Sequence, residues 1–260
     1  MIFLTHHKCA SAWLSGVLHS YYAVQCSQPV LHSHRSDEFP EDCAAYRYLL
    51  LINAHYPFLK AKLTRAVHVV RNPLSIVVSS YFSHLAIHPT ERWPQLAAQR
   101  EKLQRLPKAA GLEATVQFLS RSQGFHDEDG VVGPLWALRH FDYDDPRILT
   151  VRMEDLVAAP AAVLPECLAF LGAECPADLL AQLSQHSFEA KSGGRKPGVV
   201  DASSHYRCGD PSDWINHLSR DCALSILRDH TPFMDRFYPG SAALLQRHAS
   251  PGSSAGPLSV

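Results

Sequence analysis

The chain has 260 residues, with 24 Lys and Arg against 25 Asp and Glu for a formal charge of -1, and 46% of its residues are hydrophobic. That balance argues against a nucleic-acid binder or a polybasic membrane anchor, and no run of about 18 apolar residues offers a membrane span. Seven cysteines at irregular spacing form no Cys-x-x-Cys pair, which fits reduced thiols; with no basic-then-apolar leader pattern at Met1, the expected location is cytoplasmic.

The first element is a short apolar strand over Ile2–Thr5 that runs through His6 and His7 to Lys8. The small residues Cys9, Ala10, Ser11 and Ala12 and then Trp13 open an apolar helix. A helix N-terminus presents unpaired N–H groups and the positive end of the helix dipole. A preceding lysine and small side chains therefore make a cradle for an anionic group such as phosphate. The nucleoside-triphosphate loop Gly-x-x-x-x-Gly-Lys-Ser/Thr is absent, and no aspartate stands out as a magnesium ligand. The pattern suits a phosphate-bearing donor used without metal.

Further strands are expected over 48–53, Ala66–Val70 and Ile148–Arg152, and helices over 75–85, 112–122, 134–141 and 161–171. The apolar runs Leu49-Leu50-Leu51-Ile52 and Val67-His68-Val69-Val70 read as strands buried on both faces. They imply an α/β three-layer fold, with helices on both sides of a parallel sheet and ligands at the strands' carboxyl ends. One domain over 1–249 is expected, followed by a disordered tail at 250–260. A charged, loosely helical excursion over 91–108 and a polar loop over 122–132 are candidates for shaping a cleft. Residues 191–211 carry six Gly and Pro breakers and read as a long loop.

Three further constellations stand out. Arg71-Asn72-Pro73 ends a strand and starts a helix that carries Ser79 about two turns on, a second anion site. Val151-Arg152-Met153-Glu154-Asp155-Leu156 precedes Pro160 and Phe170-Leu171-Gly172. Tyr206-Arg207-Cys208-Gly209-Asp210-Pro211-Ser212-Asp213-Trp214 closes the long loop.

Together the four stretches resemble the sulfotransferases that use 3'-phosphoadenosine 5'-phosphosulfate (PAPS) and release adenosine 3',5'-bisphosphate (PAP), a P-loop-NTPase-like fold. Lys8-Cys9-Ala10-Ser11-Ala12-Trp13 aligns without a gap to that family's Lys-Ser-Gly-Thr-Thr-Trp. Arg71-Asn72-Pro73 with Ser79 resembles its Arg-Asp-Pro segment for the 3'-phosphate, and Arg207-Cys208-Gly209 its late Arg-Lys-Gly segment. Cys208 replaces a lysine there, which implies either a lower phosphate affinity or recruitment of Arg195 or Lys196 from the same loop.

The resemblance implies donor contacts from Lys8, Cys9, Ala10, Ser11, Ala12, Trp13, Arg71, Ser79, Phe188, Arg207, Cys208 and Gly209, with Trp13 and Phe188 clamping adenine and Met153 at the position of a common tyrosine. It gives Lys8 the leaving-group oxygen, and His55, in Asn53-Ala54-His55-Tyr56-Pro57, the role of catalytic base; Glu38 and Asp37 are the carboxylate alternatives. The implied reaction is sulfuryl transfer to a hydroxyl or amine of a small-molecule or carbohydrate acceptor, with no nucleic-acid or membrane partner. A P-loop-like kinase and a non-catalytic PAP- or PAPS-binding relative are the alternatives. His6-His7 and His32-Ser33-His34 lack partners at metal-ligand spacing, so no metal is expected. Acceptor specificity is expected from 31–42, 85–108 and 122–132.

Overall fold

The computed structural model describes residues 1–23, 26–126 and 130–249. The tail expected at 250–260 and residues 127–129 of the polar loop lie outside them. Five strands, β1 (Ile2–Thr5), β2 (Val30–Ser33), β3 (Tyr48–Ile52), β4 (Ala66–Val70) and β5 (Ile148–Arg152), form one parallel sheet in the order β2-β3-β1-β4-β5. The three-layer α/β architecture expected from the apolar runs is the one observed.

The period of two along each strand divides the core. Phe3, Leu50, Val67 and Val69 pack on one face with Leu14, Leu18, Leu164 and Leu168, which belong to α1 (Ser11–Leu18) and α8 (Pro160–Phe170). Ile2, Leu4, Leu49 and Leu51 pack on the other with Tyr56 and Leu59 of α2 (Tyr56–Leu59) and with Phe141. A further apolar cluster joins α3 (Pro73–Phe82), α4 (Pro94–Arg105) and α5 (Lys108–Leu119) to α6 (Pro134–Arg139), α11 (Arg220–Asp229), α12 (Thr231–Phe237) and α13 (Gly240–Ala249). Short helices α7 (Met153–Ala158), α9 (Ala177–Gln182) and α10 (Phe188–Lys191) complete the set used below.

Strand β2 was not among the expected strands. It is an edge strand, Val30-Leu31-His32-Ser33, with two polar residues in four and only one residue fully buried. An edge needs no continuous apolar run, so the signal that revealed β1, β3 and β4 is missing.

Strand β1 lies between β3 and β4, so the chain leaves to opposite sides of it. This reversal of strand order opens a crevice at the carboxyl ends, where the loops after β1, β3 and β4 meet. Asn72 holds the start of α3, its side chain accepting from the Leu74 N–H at 3.0 Å and donating to Ser241 at 3.0 Å. Past Phe82 the helix widens into a π turn over Ser83–Ile87, a local expansion common near functional sites.

Candidate active site

The loop after β1 is tight. Lys8 and Ala10 both adopt left-handed backbone angles, φ 66° and 59°. The Cys9 N–H reaches back to the His6 carbonyl at 2.9 Å, and the Thr5 hydroxyl donates to the Cys9 carbonyl at 2.5 Å. Ala10 stands where the resembled family has glycine, the residue that takes this conformation without a Cβ penalty. No side chain caps α1, and its first turn carries no acid. Its leading amides are left for a ligand.

These residues border a cavity of about 820 Å³ at the carboxyl end of the sheet. Of the residues expected at the donor site, Lys8, Ala10, Ser11, Ala12, Trp13, Arg71, Ser79, Phe188, Arg207, Cys208 and Gly209 all line it, and Met153 joins them. Cys9 does not: its side chain is fully buried in the apolar cluster of α3, and burial pushes its thiol far above the usual range. It contributes backbone and packing.

Three cations stand on the wall. Lys8 Nζ donates to the Ser83 hydroxyl at 2.6 Å, and one Arg71 nitrogen donates to the Lys8 carbonyl at 3.0 Å. Neither has a carboxylate within ion-pair distance among the described residues. Desolvation, and then the Arg71 charge, bring Lys8 down to about 7. Arg207 differs, because it is paired with Asp213 and lies 4.3 Å from the Phe82 ring centre.

Arg195, one of the two substitute cations expected, points its guanidinium at backbone carbonyls. It serves the loop itself, donating to the carbonyls of Tyr206 at 2.7 Å and of Arg207 and Val199 at 3.1 and 3.0 Å. Neither Arg195 nor Lys196 lines the cavity. Gly209, at φ 72°, holds its Cα against the Phe188 ring, so a Cβ there would stand 2.8 Å from ring carbons. That contact holds the Phe188 ring in the cavity wall.

The Glu154 motif has a structural use that sequence reasoning missed. Its carboxylate accepts from the Asn72 N–H at 3.3 Å and from the Tyr238 hydroxyl at 2.7 Å, tying α7 to the turn that bears Arg71. Arg152 grips Asp155 with two nitrogens at 2.5 and 2.6 Å and reaches the Phe237 carbonyl.

A second, smaller cavity of about 320 Å³ adjoins the first. His34 comes from the 31–42 segment, His88 and Trp93 from 85–108, and His126 from 122–132, so all three segments expected to shape acceptor specificity reach this cavity. Its rings are close: Trp93 lies 5.2 Å from His88, 5.3 Å from His7 and 4.8 Å from His126. Asn53, at φ 62°, closes the floor and accepts the His7 N–H at 3.1 Å. His7, His34 and His88 line both cavities.

His55, the expected base, stands away from both cavities. His55 begins α2, its N–H donating to Ser36 at 3.0 Å, and its ring packs edge-on to Trp136 at 5.2 Å and near Phe58. It lines neither cavity. Asp37 is engaged by Arg35, Glu38 accepts from Ser33, and neither reaches a cavity wall. His6 is fully buried, its Nε2 2.8 Å from that of His68, whereas His7 lines the site beside Lys8. Among the described residues no group of His, Cys, Asp and Glu is arranged to hold a metal ion, and no helix is long and apolar enough to cross a membrane.

The fold has known counterparts. Mouse sulfotransferase SULT7A1 complexed with PAP superposes with a TM-score of 0.59 at 16% identity, over 96% of this chain and 89% of that one. A retinol dehydratase in complex with androsterone and inactive cofactor PAP has a TM-score of 0.49 at 13% identity, over 91% and 81% of the two chains. No curated protein sequence matches. The sulfotransferase domain profile matches residues 2–231, nearly the whole described chain, and the protein therefore belongs to the sulfotransferase domain family.

Proposed function

We propose that the protein transfers a sulfuryl group from PAPS to a hydroxyl or amine of a small-molecule acceptor and releases PAP. The observation that carries this reading is the pair Lys8 and Arg71, two cations with no acid partner among the described residues. They stand at an uncapped helix start, in a cavity that also holds Trp13 and Phe188. Unneutralised buried charge is costly, so such a site is built for an anion, and the flanking rings suit a base between them. The mouse relative's complex with PAP supports the same ligand.

When bound, PAPS supplies an activated sulfuryl group on a phosphate leaving group. Ser11 and the first amides of α1 would hold that phosphate, with Lys8 placed to neutralise charge on its departing oxygen. Arg71, Ser79 and Arg207 would hold the second phosphate, and Trp13, Met153 and Phe188 the base. The 320 Å³ cavity is the room for the acceptor, of a size for a small molecule.

Calorimetric titration with PAP, beside the Arg71→Ala variant, tests the donor site, and single-turnover transfer from radiolabelled PAPS tests the chemistry. Binding that the variant loses is the expected result. Failure of the wild-type protein to bind PAP overturns the reading, and binding without transfer to any acceptor turns it into a non-catalytic nucleotide-binding relative.

A further inference from the structure

The acceptor's proton has to go to a group that both cavities share, because the attacking oxygen lies on one side and the sulfur on the other. Three histidines meet that condition, His7, His34 and His88. The Nε2 of His7 is taken up by the Nε2 of His84 at 2.9 Å, and its ring is buried among Phe125, Trp93 and His84. His34 is stacked face to face with His32 and His126, at 6.2 and 5.5 Å, and forms wall.

His88 is arranged differently. Its Nδ1 lies 3.0 Å from the Pro89 carbonyl, an oxygen that can only accept, so the proton of the neutral ring resides on Nδ1 and the lone pair on Nε2. No described residue hydrogen-bonds to that Nε2. The backbone is pinned as well: the His88 N–H donates to the Ser83 carbonyl at 2.8 Å, and Arg100 donates to the His88 carbonyl at 2.5 Å and to that of His84 at 2.8 Å. A general base needs a fixed tautomer, an open lone pair and a place between the reactants; His88 has all three.

We infer that His88, and not His55, is the catalytic base, accepting through Nε2 the proton of a hydroxyl acceptor of single-ring size seated in the smaller cavity. This assignment rests on the sulfuryl-transfer reading above. In the step, Nε2 takes the hydroxyl proton as the acceptor oxygen bonds to sulfur. The bond from sulfur to the donor's phosphate oxygen breaks, and its electron pair stays on that oxygen, near the Lys8 ammonium. The imidazolium then returns its proton to water. Charged and titratable neighbours around the ring are Lys8, His7, His84, His205 and Arg100, and Glu91 and Arg92 line the smaller cavity with it. The surroundings favour the neutral, proton-accepting ring, and burial with Lys8 nearby takes His88 down to about 4 despite the Pro89 bond.

The test compares acceptors that differ in how much they need a base. With PAPS, phenol keeps its proton at neutral pH whereas 4-nitrophenol is largely ionised in mildly alkaline buffer. The His88→Ala variant is expected to lose about 100-fold in kcat/KM for phenol, a usual general-base contribution, and less than about threefold for 4-nitrophenol, with PAP affinity retained. A long-range proton–nitrogen NMR spectrum of the free protein is expected to show the Nδ1–H tautomer at His88. Equal losses with both phenols, no loss, an Nε2–H tautomer, or the selective loss appearing in His55→Ala instead would each overturn the assignment. So would a wild-type protein that binds PAP and turns over neither phenol. A wild-type protein that does not bind PAP fails at the donor reading instead.

Discussion

The two adjoining cavities are built in opposite ways. The larger one takes many of its contacts from short runs of sequence: Lys8 and Ala10 to Trp13 after β1, Arg71 after β4, and Arg207 to Gly209 in the long loop before Asp213. The smaller one joins one run, His88, Pro89, Glu91, Arg92 and Trp93, to single side chains of separated segments, His7, His34, Asn53 and His126. Phosphate recognition needs consecutive backbone amides and fixed cations, and such needs write themselves as motifs. A pocket for a neutral acceptor needs only shape and a few polar atoms, so any loop that arrives can supply them.

The sharpest way to separate the two cavities is to remove one cation from the larger. Arg71→Ala is expected to weaken PAP binding by roughly 100-fold, about 3 kcal/mol, the loss of charged hydrogen bonds. Thermal unfolding should stay near wild type. Calorimetry reads both, and an unchanged affinity would mean that the cavity is not the donor site.

A smaller loss is expected where the phenylalanine is held. Gly209→Ala places a Cβ 2.8 Å from the Phe188 ring at φ 72°, a strain of about 2 kcal/mol that the ring must relieve by moving. Both the melting temperature and the affinity for PAP should fall, whereas Gly240→Ala, with open space around its Cα, should lower neither.

Proton linkage at Lys8 comes next in size. Because Lys8 is down at about 7 without ligand, a bound anion that restores its charge must draw in a proton above that pH. Affinity for PAP is then expected to fall up to about tenfold per pH unit above 7 until Lys8's bound-state value is reached, with proton uptake visible as a buffer-dependent enthalpy. The sign follows from the lowered value: the charged form is the binding form and is abundant only below 7. In Lys8→Arg the guanidinium stays charged and the slope should vanish.

The smallest effect is a gain. Ala10→Gly removes the left-handed penalty at φ 59°, and about 1 kcal/mol of it survives the added freedom of the unfolded chain, a rise of a few degrees in melting temperature. Donor binding should be kept, since the resembled family carries glycine there.

How much of this was legible in the residues follows the same division. Strands β1, β3 and β4 announce themselves as unbroken apolar runs, and the positions around Lys8, Arg71 and Arg207 fall into one cavity as expected. Edge strand β2 hides behind His32 and Ser33. His55 shows a different limit: alignment fixes a place along the chain but not the direction of a side chain. The left-handed turn at Asn53 and the short α2 that follows aim the His55 ring at Trp136, so the motif matches while the imidazole lies outside both cavities. The role proposed for His88 carried no signal of its own, because it depends on a π turn, a proline carbonyl and an arginine twelve residues on.

The bond from Arg71 to the carbonyl of Lys8 gives the larger cavity a counting property. The Arg71 charge lowers Lys8 while the two share it without ligand, so a phosphate that takes up Arg71 makes Lys8 easier to charge. A nucleotide with a single phosphate satisfies one charge and leaves the second unmet and repelled. On the donor reading proposed above, discrimination between adenosine mono- and bisphosphates is then expected to exceed what the missing contacts alone would supply.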